Sequence, residues 1–348
     1  MYEKILQSDC ENRAQACRFY SFLFEEIKGG SFMGKYIVKR LLMGIPTFIG
    51  ITILVFFLSC LAPGSPLELV FNDSNATAEV MAEMEAKLGL DQPVYIQYFH
   101  WVGELLKGNF GTSYRVGNPV LAMVGERIGP TLLITISSLI LSILIAIPLG
   151  MMSAFHPYSG WDYFSSGLSF IGAATPNFFA GLVLIFLLSV KIHLLPSSGM
   201  YDSGVITTGN LVKHMVLPVI VLSVQQVGSL IRQTRGSVLE VLQDDFIRTA
   251  RAKGCLEPRV LFHHALRNSM APIVTLIGSM IPFLAGGAVV TEQLFSWPGL
   301  GSLMVLSISS RDYPVIMGIT VFIALAVLIG NLIVDLVYGI LDPRIRYN

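Results

Sequence analysis

The sequence predicts an all-α polytopic membrane protein with about six transmembrane helices. Three observations lead to this fold class: few residues are charged, long stretches contain no charge, and Lys and Arg are unevenly distributed along the chain. Only 13% of the 348 residues are charged and 53% are hydrophobic, whereas soluble domains average about 25% charged residues. The formal net charge is zero, so the bulk charge does not indicate a nucleic acid as a partner.

Six stretches are long and apolar enough to cross a bilayer as helices. A hydrocarbon core of about 30 Å requires roughly 20 helical residues, and a charge at its centre costs about 3 kcal/mol on insertion scales. The fourth stretch ends at Arg232, and the others contain no charge. In chain order the stretches are 41–62, 128–155, 163–190, 215–231, 268–291 and 313–334. Buried helices of a large soluble protein are the alternative, but these rarely exceed about 20 residues without a charge.

The distribution of Lys and Arg predicts the orientation of these helices. With the N-terminus inside, the cytoplasmic segments contain 16 Lys and Arg residues and the outside segments contain 7. Because Lys and Arg accumulate in short cytoplasmic segments, both termini are expected in the cytoplasm. The cytoplasmic segments are then 1–40, 156–162, 232–267 and 335–348, and the outside segments are 63–127, 191–214 and 292–312.

The first outside segment, 63–127, has 65 residues. A connection of this length is too long for a simple loop, so we expect it to fold on the membrane surface. Apolar residues recur at helical spacing over 77–88 and 95–106, which predicts two amphipathic helices. In the second, Tyr95, Phe99 and Val102 share one face, with Tyr98, Trp101 and Leu105 beside it.

The cytoplasmic segment 232–267 carries the clearest functional pattern. Its first part is predicted to be a helix that ends at about Lys253, because Gly254 can adopt the left-handed conformation that terminates helices. Glu257-Pro258 suit the start of a second helix, since proline is favoured at the first helical position. The first helix presents an apolar stripe of Leu242, Phe246, Ile247 and Ala250, with Arg248 and Arg251 on another side.

This pattern predicts a helix–turn–helix unit that projects from the membrane. Its apolar stripe needs a partner surface to cover it. A solvated basic loop is the alternative, since the accumulation of positive charge in cytoplasmic segments would produce such a loop without any partner.

No arrangement of residues for catalysis or metal binding is visible in the sequence. The histidines lack metal-ligand spacing, since His263 and His264 are adjacent and point in different directions on a helix. Residues 29–35 resemble a phosphate-binding loop, but Tyr36 stands where the magnesium-binding hydroxyl is required. We therefore predict no enzyme activity, bound metal or cofactor on this chain. Ionisable residues are nearly absent from the spans, which argues against a self-powered secondary transporter.

Polar, small or kinked stretches of the second to fifth spans are predicted to face a translocation path. Neutral polar groups are poorly tolerated against lipid but suit a hydrated passage, and membrane helices tolerate the kinks that proline introduces. The residues concerned are Ser137, Pro176, Asn177, Gln225 and Gln226. Hydrogen bonding between helices is the alternative role for these side chains.

Several motifs resemble those of the ABC importer permeases, in their dipeptide/oligopeptide variant. Residues 248–254 read Arg-Thr-Ala-Arg-Ala-Lys-Gly, as in the cytoplasmic loop of that subfamily. The general family has Glu-Ala-Ala and then Gly after three residues, and here Arg248-Thr249-Ala250 and Gly254 take those places, so the Glu is absent. Further matches are Gly-Leu-Asp-Gln-Pro at 89–93 followed by Gln97, Tyr98 and Trp101, Gly-Asn-Phe-Gly-Thr-Ser-Tyr at 108–114, Phe-Ser-Trp-Pro-Gly-Leu-Gly at 295–301 and Arg-Asp-Tyr-Pro at 311–314. The resemblance covers roughly residues 34–348 and is to the B-type subunit.

The resemblance implies a type I ABC importer permease fold for residues 33–348, with residues 1–32 as an N-terminal extension. Within this fold, 63–127 is a folded extracytoplasmic loop and 232–267 is a cytoplasmic coupling segment. The implied location is the bacterial cytoplasmic (inner) membrane, in contact with lipid. The implied partners are a second, C-type permease subunit, two ABC ATPase subunits that hold ATP and magnesium, and an extracytoplasmic substrate-binding protein.

The resemblance also implies that the coupling segment docks in a groove of an ATPase subunit. The implied coupling residues are Asp245, Phe246, Ile247, Arg248, Ala250, Arg251 and Gly254. The implied substrates are di- or oligopeptides. Nickel complexes or another small solute are the alternative within the same family.

Overall fold

The computed structural model describes residues 40, 42–61, 91–202 and 206–341, with only the backbone described at 281–287 and 335–341. Within these residues the chain is helical, and the one β-type contact is an isolated bridge between Thr112 and Pro119. The predicted helix at 77–88 and the extension at 1–32 lie outside the described residues.

The helices of the described residues are numbered in chain order. They are α1 (Leu42–Leu61), α2 (Val94–Leu106), α3 (Val120–Phe155), α4 (Gly160–Ala174), α5 (Asn177–Leu184, continued by the π-helical Ile185–Lys191), α6 (Thr208–Leu242), α7 (Asp245–Ala252), α8 (Glu257–Arg259, continued by the π-helical Val260–Ala265), α9 (Leu266–Leu294), α10 (Leu300–Ser309) and α11 (Tyr313–Leu341).

These helices confirm the predicted all-α class. α1, α3, α6 and α11 are each long and apolar enough to cross a membrane. α9 has 29 residues and contains the predicted fifth span, 268–291. The predicted third span is divided between α4 and α5.

α2 confirms the second amphipathic helix predicted in the first outside segment, and it packs on α1 through part of its surface. The Tyr98 ring lies 5.5 Å and the Trp101 ring 5.6 Å from the Phe56 ring of α1. Tyr95 and Phe99, from the other predicted face, are 61% and 69% exposed. The face with Tyr98 and Trp101 is therefore the one that holds α2 to the bundle.

α6 extends well beyond the predicted fourth span and is the central helix. It has 35 residues, because a helix continues through polar residues after the apolar part that hydropathy detects. The Thr207 hydroxyl caps its start by accepting a hydrogen bond from the Asn210 amide at 3.3 Å. In its most apolar stretch 67% of the residues are buried, against 28% in α3 and 11% in α1.

Contacts along α6 define two ends of the bundle. At the end we call the α7 end, where α6 terminates, Met151 of α3 and Ala265 pack with Val238 of α6. At the other end, the α10 end, Ile134 of α3 packs with Leu222 of α6. α3 therefore runs parallel to α6. α9 runs in the opposite direction, from the α7 end to the α10 end.

The predicted third span, 163–190, was expected to be one helix, and this expectation was wrong. α4 and α5 meet at an angle of 105°. The break lies at Thr175, whose backbone is extended, and at Pro176. Proline has no amide hydrogen for the helix, and its ring disfavours the α conformation of the residue before it. Pro176 was therefore visible as a signal in the sequence. Because membrane helices tolerate proline, however, it predicted a kink within one helix and not a break between two.

Although it is broken, the α4–α5 pair passes from one end of the bundle to the other. α4 begins beside Arg235, where Asp162 and Arg235 form an ion pair. α5 and its continuation pack through Leu184 and Leu188 in the cluster around Leu217. Arg235 and Leu217 are separated along α6 by about 27 Å at a rise of 1.5 Å per residue, close to the hydrocarbon thickness of about 30 Å. The two helices thus make one broken crossing, which distinguishes them from a re-entrant loop.

We therefore expect positions before α4 and after α5 to lie on opposite sides of the membrane. Tyr158 and Leu194 are 83% and 66% exposed and suit single cysteine replacements in a chain without its native cysteines. A membrane-impermeant maleimide should label one of them in intact cells and the other only after permeabilisation. Val116, four residues before the start of α3, is the control and should label together with position 194. Labelling of 158 and 194 from the same side would show a re-entrant loop.

Candidate functional site

The predicted coupling segment is divided into separate helices. α6 ends at Leu242, where the Gln243 and Asp244 amides donate to the carbonyls three residues earlier, and α7 starts at Asp245. The pattern of the sequence predicts one helix to about Lys253, and this prediction is wrong. Asp244-Asp245 was the available signal, because acidic residues are enriched at helix starts.

The turn after α7 is a Schellman motif centred on Gly254. The Cys255 amide donates to the Ala250 carbonyl at 3.2 Å and the Gly254 amide to the Arg251 carbonyl at 2.9 Å, which is the bonding pattern of that motif. Gly254 has a φ of 78°, which confirms its predicted left-handed conformation. No atom lies within 4 Å of a Cβ built there, so the backbone conformation, and not lack of space, favours glycine.

The predicted apolar stripe of α7 is divided between the interior and the surface. Ile247 is 0% exposed and Ala250 is 8% exposed, in a cluster with Met151 of α3 and Val238 of α6. Phe246 is 42% exposed. Ile247 and Ala250 are therefore covered by this chain itself, and among the apolar residues of α7 only Phe246 presents a large surface outward.

The charged residues of α7 make local ion pairs. Arg251 donates to both carboxylate oxygens of Glu257 across the turn, from Nε at 2.9 Å and Nη2 at 3.3 Å. Arg248 lies 3.4 Å from Asp245 one turn away on α7. All four side chains are at least 42% exposed, so each pair contributes under about 1 kcal/mol to stability. Arg251 closes the turn, while Arg248 and Asp245 remain accessible.

Gln226 makes hydrogen bonds between helices. It is 3% exposed, and its Oε1 accepts a hydrogen bond from Ser142 Oγ at 3.0 Å. Its Nε2 lies 3.5 Å from Ser138 Oγ. This geometry fits the alternative role that the sequence left open for Gln226, namely holding α3 against α6.

The other predicted path residues are more accessible. Pro176 is exposed at the α4–α5 break, and Ser137, Asn177 and Gln225 are half-buried. Within the described residues, Asn177 Oδ1 is a buried atom without a hydrogen-bond partner. A Cβ on Gly172 would lie 2.5 Å from the Val224 carbonyl oxygen, so α4 meets α6 near Gln225. The break at Pro176 is thus within about one helical turn of Gln225 along the bundle.

An ion pair at the α7 end joins three parts of the chain. The Asp162 carboxylate accepts hydrogen bonds from Arg235 Nε at 2.7 Å and Nη2 at 2.9 Å, from Ser153 Oγ at 2.5 Å and from the Tyr158 amide at 2.9 Å. Asp162 is 5% exposed. The sequence does not reveal this pair, because its members are 73 positions apart.

A second buried carboxylate, Glu292, organises the α10 end. Glu292 is 0% exposed and accepts hydrogen bonds from Thr131 Oγ1 at 2.6 Å and from the Ser302 amide at 3.0 Å. A Cβ on Gly299 would collide with the Glu292 carboxylate. The glycine in the 295–301 motif is therefore required for close packing against this carboxylate.

A third carboxylate, Asp312, joins two motifs that are far apart in sequence. It accepts hydrogen bonds from the Ser113 hydroxyl and, at 3.0 Å, from the Tyr114 amide. These residues belong to the 108–114 and 311–314 motifs, so the motifs form one contact. Burial, and then the charge of Asp312, raise the pKa of the Tyr114 phenol.

No group of three or more His, Cys, Asp or Glu residues that could hold a metal ion occurs in the part of the chain that the structure describes. The charged clusters of Asp162, Glu292 and Asp312 lie at the ends of the bundle. Each joins helices or loops through hydrogen bonds to neighbouring protein groups.

Comparison with known proteins identifies the family. Residues 146–347 match the model of the binding-protein-dependent transport system inner membrane component, and residues 33–137 match the model of the N-terminal part of such components. The chain belongs to this family. It is thus the membrane-spanning permease component of an ABC importer.

Two of the similar proteins each align with 90% of this chain. The oligopeptide transport system permease protein AppB of Bacillus subtilis (strain 168) is 47% identical over 319 residues, which cover 100% of AppB. The dipeptide transport system permease protein DppB of Escherichia coli (strain K12) is 39% identical over 337 residues, which cover 99% of DppB.

A solved structure shares the fold. An inward-facing structure of the MetNI methionine ABC transporter aligns with a TM-score of 0.50 at 14% sequence identity, over 64% of this chain and 97% of that chain. This similarity supports the type I importer permease fold that the motifs implied.

The division of the α7 stripe predicts opposite consequences for neighbouring residues. Ile247→Ala removes a buried side chain and should destabilise the bundle by about 2–5 kcal/mol. Phe246→Ala removes a side chain that is 42% exposed and should change stability by about 0.5 kcal/mol or less. Thermal unfolding of the purified protein in detergent measures both. Equal losses of stability would show that α7 is not packed as described.

Proposed function

We propose that this chain is the B-type permease subunit of an ATP-driven importer that moves di- or oligopeptides across the bacterial cytoplasmic membrane. The observation that carries this proposal is the identity of 47% to an oligopeptide permease and 39% to a dipeptide permease along nearly their whole length. A relative from Salmonella typhimurium named for glutathione, itself a peptide, is also 39% identical. Nickel complexes or another small solute are the less favoured alternative.

The proposed assembly contains four further subunits or proteins of three kinds. A second, C-type permease completes the passage, two ABC ATPase subunits hold ATP and magnesium, and an extracytoplasmic substrate-binding protein delivers the solute. Membrane lipid covers the remaining exposed apolar surface. In the proposed orientation of the chain in the membrane, both termini and 232–267 are cytoplasmic, and 63–127 is outside. Residues 33–348 form the permease domain, and residues 1–32 are an N-terminal extension.

The coupling segment has a surface suited to an ATPase groove. Phe246 provides an exposed apolar side chain, flanked by the accessible charges of Asp245 and Arg248. Ile247 and Ala250, from the same apolar stripe, are buried and pack on α3 and α6. In the proposed function, Phe246 makes the contact, and the buried residues transmit displacement of α7 to the bundle.

The proposed path follows the α4–α5 break. Neutral groups such as Asn177, Gln225 and Ser137 can exchange hydrogen bonds with peptide amides or water without the cost of a buried charge. Asn177 Oδ1 fits this role because it has no hydrogen-bond partner among the described residues. Pro176 lies at the break, which places Asn177 at the proposed path. Gln226, which the sequence analysis had also placed in the path, has the hydrogen bonds of a structural residue.

Uptake by a reconstituted transporter tests the function. Proteoliposomes that contain this chain, the second permease and both ATPases, with ATP on the ATPase side, should accumulate labelled di- or oligopeptides when the binding protein is added. Omission of ATP or of the ATPases should abolish accumulation. Uptake by this chain alone would indicate a secondary transporter. Uptake of a nickel complex without uptake of any peptide would support the alternative substrate.

The conformation of Gly254 gives a test of coupling at a single position. Val at a positive φ costs roughly 1–2 kcal/mol, whereas Asn tolerates the left-handed region. Gly254→Val should therefore misdirect the turn and reduce uptake at least tenfold at normal abundance, with weaker retention of the ATPases. Gly254→Asn, the matched control, should retain most of the uptake. Full uptake by Gly254→Val would show that coupling does not depend on the left-handed turn.

A further inference from the structure

The Asp162–Arg235 pair lies between the coupling segment and the α4–α5 break. Arg235 is on α6 one helical turn before Val238, which packs against Ile247 and Ala250 of α7. Asp162 is near the start of α4, which ends at the break. The pair is therefore in a position to join the helix that leads into the coupling segment to the helix that leads into the proposed path.

The pair is well fixed in place. Arg235 binds both oxygens of Asp162, and its Nε also lies 3.0 Å from Ser153 Oγ of α3. The side chain of Asp162 is 8% exposed and that of Arg235 is 31% exposed. A bidentate arginine–carboxylate contact restricts both the distance and the relative orientation of the two groups. It therefore resists rotation of α4 against α6 at this end.

Further along, α4 and α6 touch through backbone atoms. Ser169 Oγ donates to the Gly228 carbonyl at 2.6 Å, and a Cβ on Gly228 would lie only 2.8 Å from the Ser169 carbonyl oxygen. Gly172 makes a similar approach to Val224. These contacts allow little separation of the helices. The ion pair and the glycine contact thus hold α4 to α6 at two separate levels.

We propose that Asp162 and Arg235 are positioning residues for transport, a proposal that rests on the proposed function. Their ion pair makes α4 and α6 move as one unit, so that displacement of α7 by the ATPases reaches Pro176 and opens or closes the path at the break. Ser153 holds the pair against α3 during this movement. The pair contacts neither the solute nor the nucleotide.

A neutral double replacement tests this role without leaving an unpaired charge. A single Asp162→Asn or Arg235→Gln variant leaves a half-buried arginine or a buried carboxylate without its partner, which by itself destabilises a protein. The double variant Asp162→Asn/Arg235→Gln avoids this and should assemble with the ATPases. Arg235→Lys keeps the charge but loses the bidentate geometry. Arg232→Gln, an exposed arginine three residues earlier on α6, is the matched control.

We expect the double variant to reduce peptide uptake at least tenfold while ATP hydrolysis without peptide stays within twofold of wild type. The number of ATP molecules hydrolysed per peptide should rise accordingly. Arg235→Lys should recover part of the uptake, and Arg232→Gln should retain all of it. Unchanged uptake in the double variant would overturn the proposal. A parallel fall in abundance, hydrolysis and uptake would also overturn it, because it would show a structural role alone.

A second measurement does not depend on the solute. In the wild type, ATP should change the rate at which a water-soluble maleimide labels a cysteine at position 177, because movement of α4 reaches the break. The double variant should lose this ATP-dependent change in labelling. If the double variant keeps the change, the proposal is contradicted. Failure of the wild type to take up peptides, with the ATP-dependent labelling intact, would refute the proposed substrate and leave the role of the ion pair standing.

Discussion

A methyl group on Gly172 would lie 2.5 Å from the carbonyl oxygen of Val224, and one on Gly228 would lie 2.8 Å from that of Ser169. The close approach of α4 to α6 at these glycines is the constraint on which the arrangement of the bundle depends. Membrane helices associate without a hydrophobic driving force between them, so van der Waals packing at small residues and interhelical hydrogen bonds determine which faces meet. Interhelical hydrogen bonds form at the same level of α6, where Ser169 of α4 bonds to Gly228 and Ser142 of α3 bonds to Gln226.

The same energetics explains the positions of the charged residues. Asp162 and Arg235 occupy one end of the bundle, and Glu292 and Asp312 occupy the other. A charge is most costly at the bilayer centre, and a carboxylate removed from water needs hydrogen bonds to most of its lone pairs. Asp162 and Glu292 accept hydrogen bonds from more than one element, and Asp312 accepts two from the 108–114 motif. The central region is left with neutral polar groups, which suits the passage of a solute that itself carries many amide groups.

Much of this architecture could be predicted from the sequence because the distribution of apolar and charged residues along the chain determines it. Uncharged stretches of membrane-spanning length predicted the long helices, and Gly254 predicted a left-handed turn. The 105° bend at Pro176 was less predictable, since a proline in a membrane helix can produce either a kink or a break, depending on the neighbouring helices. Hydropathy could not show that α6 continues to Leu242, although the pattern of 232–253 predicted a helix there.

The candidate site was less predictable than the fold, because its geometry depends on contacts between distant residues. The spacing of Phe246, Ile247 and Ala250 indicated an apolar stripe, but the spacing does not tell which partner covers each residue. The structure shows α3 and α6 covering two of the three. The Asp162–Arg235 pair left no local signal for the same reason.

The burial of Ile247 and Ala250 changes how the coupling segment should be understood. α7 has only eight residues, and isolated helices shorter than about 12–15 residues are marginal in water. Its helical state therefore depends on the cluster it shares with Met151, Val238 and Val260. A partner that pushes on Phe246 pushes on a helix already packed against α3, α6 and the start of α9. Force applied there reaches the ends of several membrane helices directly, whereas a loose loop would absorb it by changing its own conformation.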